Sequence, residues 1–106
     1  MELIKLIEFK KKSIRRGIVF RLPGQWPYEE FVDFMVIDLF DTHGLVVSSG
    51  HKAGLILISF PTESKSEEGR ALSTQWIIDN WAKWIYPKCD VSDVYLFDGY
   101  EATPIK

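Results

Sequence analysis

STQWIIDNWAKWIYP, residues Ser73–Pro87, holds three of the chain's four tryptophans within nine positions, and no other stretch is so concentrated. At about 100° per residue, Trp84, Ile77, Trp81, Ile85 and Ile78 fall in one arc of roughly 120°, with Trp81 near its middle. A stripe of that width must be covered by apolar neighbours, so this segment is expected to be a helix packed on a sheet. Trp76 lies about 80° outside Trp84, at the margin of that stripe. It is therefore the tryptophan expected to be most available to a partner. Ser73 suits an N-cap, because its hydroxyl can accept from an amide one turn on, and Pro87 forbids continuation. Asp79 and Lys83, at i and i+4, are expected to form a surface pair worth ~0.3 kcal/mol.

Upstream of the helix the periodicity changes from helical to alternating. Residues 13–22 place Ile18, Phe20 and Leu22 on one face and Arg15, Val19 and Arg21 on the other before Pro23 and Gly24 end the run. That pattern predicts a strand with one buried and one wet face. Residues 32–40 are almost continuously apolar, interrupted by Asp33 and Asp38, which suits a central strand covered on both sides. Pro27 followed by Glu29 and Glu30 would also open a helix, but the β-branched and aromatic content favours a strand from about residue 33, after a short helical turn. Residues 45–49 and 55–60 are joined by a connection with Gly50 and Gly54 at its ends, a hairpin signal. Residues 94–97 read as a last strand closed by Asp98-Gly99, and residues 62–70 as a polar loop. With the opening residues 3–9, the expected fold is α+β. It comprises a mainly antiparallel sheet of five or six strands, with one principal helix in the C-terminal half packed on it.

The 106 residues fit a single domain over residues 1–106 with one hydrophobic core. An apolar share of 46% with 14% aromatics is that of a folded chain, which excludes a disordered reading. The lone Cys89 forms no internal disulfide and suits a reducing, cytoplasmic compartment. The charged opening does not read as a signal peptide, and no apolar run is long enough to span a bilayer, so no membrane association is expected. Net charge is −2 but unevenly spread: residues 1–22 balance to +5 and residues 23–106 to −7.

No arrangement in the sequence carries recognisable catalysis. His43, His51, Asp41 and Cys89 are types that could ligate a metal, but they lack any Cys-x-x-Cys or His-x-x-x-His spacing. Cys89, in the loop after Pro87, could be a nucleophile activated by a histidine, but a partly buried spare thiol is the better reading. Glu29 with Glu30, and Asp38 with Asp41, offer carboxylates, yet neighbours on a strand point to opposite faces and do not share a substrate. There is no phosphate-cradling glycine loop and no nucleophile elbow. No enzyme activity, metal or cofactor is expected. A small single-stranded nucleic-acid-binding module is the alternative, because Lys10, Lys11, Lys12, Arg15 and Arg16 form a basic tract. The acidic pI of 5.6, and aromatics accompanied by Asp and Glu, argue against nucleic acid as a partner.

Three stretches carry a family resemblance: WPYEEFVDF from Trp26, GLVVSSGHKAGLIL from Gly44 and ALSTQWIIDNWAKWIYP from Ala71. Together they resemble bacterial immunity proteins, the partners of polymorphic toxins including those of contact-dependent growth inhibition, and in particular immunity protein family 45. The resemblance spans roughly residues 14–98. It implies a cytoplasmic protein, monomeric or weakly oligomeric, that neutralises one cognate toxin domain encoded upstream. The acidic body then suits a basic nuclease as toxin, since complementary charge speeds capture. Asp90, Asp93, Asp98 and Glu101, with no basic residue between them, are the first candidates for the partner surface, and Glu29, Glu30 and Asp33 the second. Trp76 and Tyr100 are the candidate aromatic anchors.

Overall fold

The computed structural model describes residues 2–101. Its centre is β4 (Phe31–Asp38), the long apolar segment, which pairs on one side with β3 (Val19–Pro23) and on the other with β5 (His43–Val47). Beyond β3 lie β8 (Tyr95–Phe97) and then β1 (Ile4–Lys5), and beyond β5 lies β6 (Ile56–Ser59). The order β1-β8-β3-β4-β5-β6 is antiparallel throughout. A two-stranded sheet of β2 (Ser13–Ile14) and β7 (Leu72–Ser73) sits apart. The fold is thus α+β, with six antiparallel strands and a helix in the C-terminal half, as the alternation and the tryptophan stripe predict.

The expected strand over residues 13–22 is two strands in two sheets. Gly17, at φ 93°, breaks the run, and only the part from Val19 joins the large sheet. The expected wet face of β3 is also drier than alternation suggests, since Val19 is fully buried. No helical turn precedes β4, and the 3–9 segment gives only the two residues of β1 before a 3-10 turn over Leu6–Glu8. The β5–β6 connection behaves as expected, with Gly50 at φ 72° and Gly54 at φ 100°. Both values suit a residue without Cβ.

Helix α1 (Thr74–Asn80) starts where Ser73 accepts the Trp76 amide at 3.2 Å. It then widens into a π-helical turn over Trp81–Ile85, in which the Tyr86 N–H bonds to the Trp81 carbonyl five residues back. The wider turn delays each following side chain around the axis. The expectation for Trp84 fails for that reason, and two others fail with it. Trp84, assigned to the buried arc, is 37% exposed, whereas Trp76 is half-buried between Phe60, edge-on at 5.9 Å, and Trp84 at 5.8 Å. Trp76 is therefore not the most available tryptophan: Trp26 and Trp84 are both more exposed. Asp79, moreover, accepts from Gln75 at 2.8 Å and makes no ion pair with Lys83.

Trp81 keeps its predicted place. It is buried against Phe20 of β3, edge-on with ring centroids 5.5 Å apart, and joins the helix to the core face formed by Phe20, Leu22, Val32, Phe34, Val36 and Leu45. Its indole N–H finds no hydrogen bond of ordinary geometry; its neighbour Cys89 offers only a sulfur, a weak acceptor.

The opposite face of the sheet is held by a polar network. Asp33 of β4, only 3% exposed, receives a two-pronged contact from Arg21 of β3 at 2.8 and 2.9 Å. The segment after β8 then folds across this face. The Tyr100 hydroxyl donates to Asp33 at 2.6 Å and meets the Ser48 hydroxyl at 2.9 Å, while its ring packs edge-on against Phe97. The Arg21 guanidinium lies 5.0 Å above the Phe97 ring centre. Charge-assisted, two-pronged contacts of this kind fix geometry as well as adding stability.

Candidate partner-binding surface

The first acidic group divides between the two ends of β8. At one end Asp90 caps the 3-10 turn Val91–Asp93 by accepting the Ser92 amide at 2.9 Å, and that local bond holds its carboxyl below the usual carboxylate range. It lines a cleft of about 440 Å³ with Asp79, Cys89 and Trp81, and Asp93 is exposed nearby. At the other end Asp98 and Glu101 join Glu2 around a separate cleft of about 260 Å³. The six candidate residues therefore do not form one surface.

Tyr100 is 47% exposed, but its hydroxyl is committed to Asp33 and Ser48, so only its ring edge is presented outward. Trp76 faces a third groove, shared with the basic tract Lys10–Lys12 and with Glu63, Glu67 and Glu68. The second acidic group contributes less than its composition promised. Asp33 is buried under Arg21, and Glu29 is held by His51, whose Nδ1 lies 2.6 Å from its carboxylate. Only Glu30 of the three is fully exposed.

Antiparallel pairing decides which loops share an end of the sheet. Val19 pairs with Phe97 on one side and with Met35 on the other, so the exit of β8, the entry of β3 and the exit of β4 lie together. Asp98 is thus two strand spacings across from β4 and level with about Val36, roughly 15 Å from the tip of the β4–β5 turn. Phe40 stands at the tip of that turn, 87% exposed, with the positive φ of 81° that a bulky residue rarely adopts. Arg70 holds the turn in place. It donates twice to Asp38 at 2.7 Å and once to the Phe40 carbonyl, while the Phe40 amide bonds to Asp38 at 2.7 Å. This contact keeps the Asp38 carboxyl far below the usual carboxylate range. Sequence reasoning missed Phe40, because neither a glycine nor an asparagine marks the unusual backbone there.

No three His, Cys, Asp or Glu side chains among the described residues come together as a metal site. His51 lies at the β5–β6 tip beside Glu29, away from the turn that leads into His43. Burial pushes the Cys89 thiol up, away from the thiolate a nucleophile needs. No helix among the described residues is long and apolar enough to cross a membrane.

The family model described as Immunity protein 45 matches residues 6–96, which runs from the first 3-10 turn into β8. The chain belongs to that family. No curated protein and no solved structure matches the chain. For an immunity protein the relevant surface is one that meets a toxin, and the same end of the sheet carries exposed Asp98 and Glu101 and, further out on the β4–β5 turn, the exposed Phe40 ring.

Proposed function

We propose that this immunity protein binds a single cognate toxin domain in the cytoplasm and silences it as a stoichiometric, non-catalytic inhibitor. The system is of the polymorphic-toxin kind used in contact-dependent growth inhibition, and the toxin is a basic nuclease. Membership of the family over residues 6–96 carries this reading. The charge distribution supports the nuclease assignment: the body from residue 23 onward balances to −7, and an acidic surface both attracts a basic enzyme and occupies the place its nucleic acid would take. Asp98 and Glu101 form the proposed capture edge with Tyr100 beside them. Asp90 and Asp93 extend the acidic field from the far end of β8, and Trp76 contributes aromatic surface from the helix.

Exchanging Asp98 and Glu101 together for lysine is expected to slow association with the toxin domain by about tenfold at low salt and to flatten its salt dependence. The Asp98 side chain is exposed, so its exchange alone should change stability by no more than the ~0.5 kcal/mol typical of surface changes. Stopped-flow association at several salt concentrations measures this. An unchanged rate with unchanged salt dependence would remove these two residues from the interface.

A further inference from the structure

Behind the Phe40 turn lies a cavity of about 240 Å³ whose walls include Asp41, His43, Lys65 and Arg70. His43 is 5% exposed, and neither ring nitrogen has a hydrogen-bond partner among the described residues. Burial pushes its imidazole pKa down, and Arg70, Arg16 and Lys65 push the same way against Asp38. With no partner among the described residues and neither ring nitrogen sealed off as a fully buried atom, the imidazole is left open to a group entering the cavity. Arg70 is committed to Asp38, but Lys65 has no ion pair among the described residues. The cavity thus offers the imidazole and the exposed Lys65 ammonium, both able to donate, beside the exposed Asp41 carboxylate.

Phe40, next in sequence to the lining residue Asp41, is the most exposed large apolar side chain among the described residues and the only non-glycine residue among them with positive φ. Two unfavourable features, a strained backbone and a ring in water, are held together by three hydrogen bonds from one arginine. Strain maintained in this way is characteristic of residues positioned for contact. A rigid exposed aromatic is also the type of side chain that dominates protein interfaces.

We propose that Phe40 is the anchor of the toxin interface, inserting into an apolar pocket of the toxin domain while an Asp or Glu side chain from that domain enters the His43 cavity. This rests on the immunity reading above and specifies its contact. The acidic edge at Asp98 then steers the encounter, and the Phe40 turn holds the complex once formed.

The test compares the parent protein with F40G and K65E for capture of the proposed cognate toxin domain, alongside thermal melts. Glycine relieves the positive φ, so F40G is expected to melt no earlier than the parent, yet to bind at least about thirtyfold more weakly through faster dissociation. K65E is expected to lose about tenfold by placing a carboxylate where another must enter. Parent-like affinity in either variant overturns the inference and leaves the immunity reading standing. Failure of the parent protein itself to capture the toxin domain removes both.

Discussion

Replacing Trp81 by alanine is expected to cost about 3–5 kcal/mol, the range for emptying a large aromatic site in a packed core. The ring is buried against Phe20 and forms the main bridge between the helical segment and the sheet, so collapse of neighbours into the vacated space would require the helix to shift bodily. Folded domains typically retain only about 5–15 kcal/mol in all, so this single change should bring the chain close to unfolding at growth temperature. Trp84→Ala should cost clearly less, because the π-turn leaves that ring 37% exposed. Urea unfolding of the two variants measures the difference, and equal losses would show that the two tryptophans share one environment after all.

Replacing Arg21 by alanine is expected to cost about 3 kcal/mol, because it leaves the Asp33 carboxylate buried with only the Tyr100 hydroxyl for company. The value is set at the low end of the range for breaking buried pairs because Arg21 is itself partly exposed. The double change Arg21→Met with Asp33→Leu should recover much of the loss, since it removes the orphaned charge together with its partner. The pair also sets a direction for acid unfolding. Burial alone would push the Asp33 carboxyl up, but the hydrogen bonds from Arg21 and Tyr100 outweigh it and hold the carboxyl below its usual range. A carboxyl with a depressed folded-state pKa adds stability that is fully present above its unfolded pKa of about 3.9 and is lost as pH falls through the folded value. The gap in stability between parent and Arg21→Ala should accordingly be widest near pH 7, begin to narrow as pH falls through the raised pKa of the orphaned Asp33 in the variant, and close further down to the depressed value in the parent. A gap that persists undiminished well below that range would assign the loss to packing on Phe97 instead of to charge.

Much of the fold was legible because it rests on local rules. Alternation exposed Phe20 and Leu22 as core, paired glycines marked the β5–β6 hairpin, and Ser73 and Pro87 bounded the helical segment. What stayed hidden depends on geometry that no local pattern encodes. The π-turn rotates Trp84 outward, and a helical wheel assumes a constant angle per residue. Arg21 and Asp33 look like two solvated charges in the sequence, but the β3–β4 register sets them opposite each other. The candidate surface was legible in its charges and not in its anchor. Asp98 and Glu101 stand out as acidic loop residues, whereas Phe40 reads as one more apolar residue at the end of a strand. Its exposure depends on Arg70, thirty positions away in sequence, which grips the turn from the polar loop.

The most direct experiment mixes the purified protein with the proposed cognate toxin domain and follows residual toxin activity against molar ratio. A stoichiometric inhibitor predicts a linear loss of activity that reaches zero at one immunity protein per toxin, with a one-to-one complex recovered by gel filtration. Complete loss at a small fraction of that ratio, or full activity with no complex at micromolar concentrations, would contradict it.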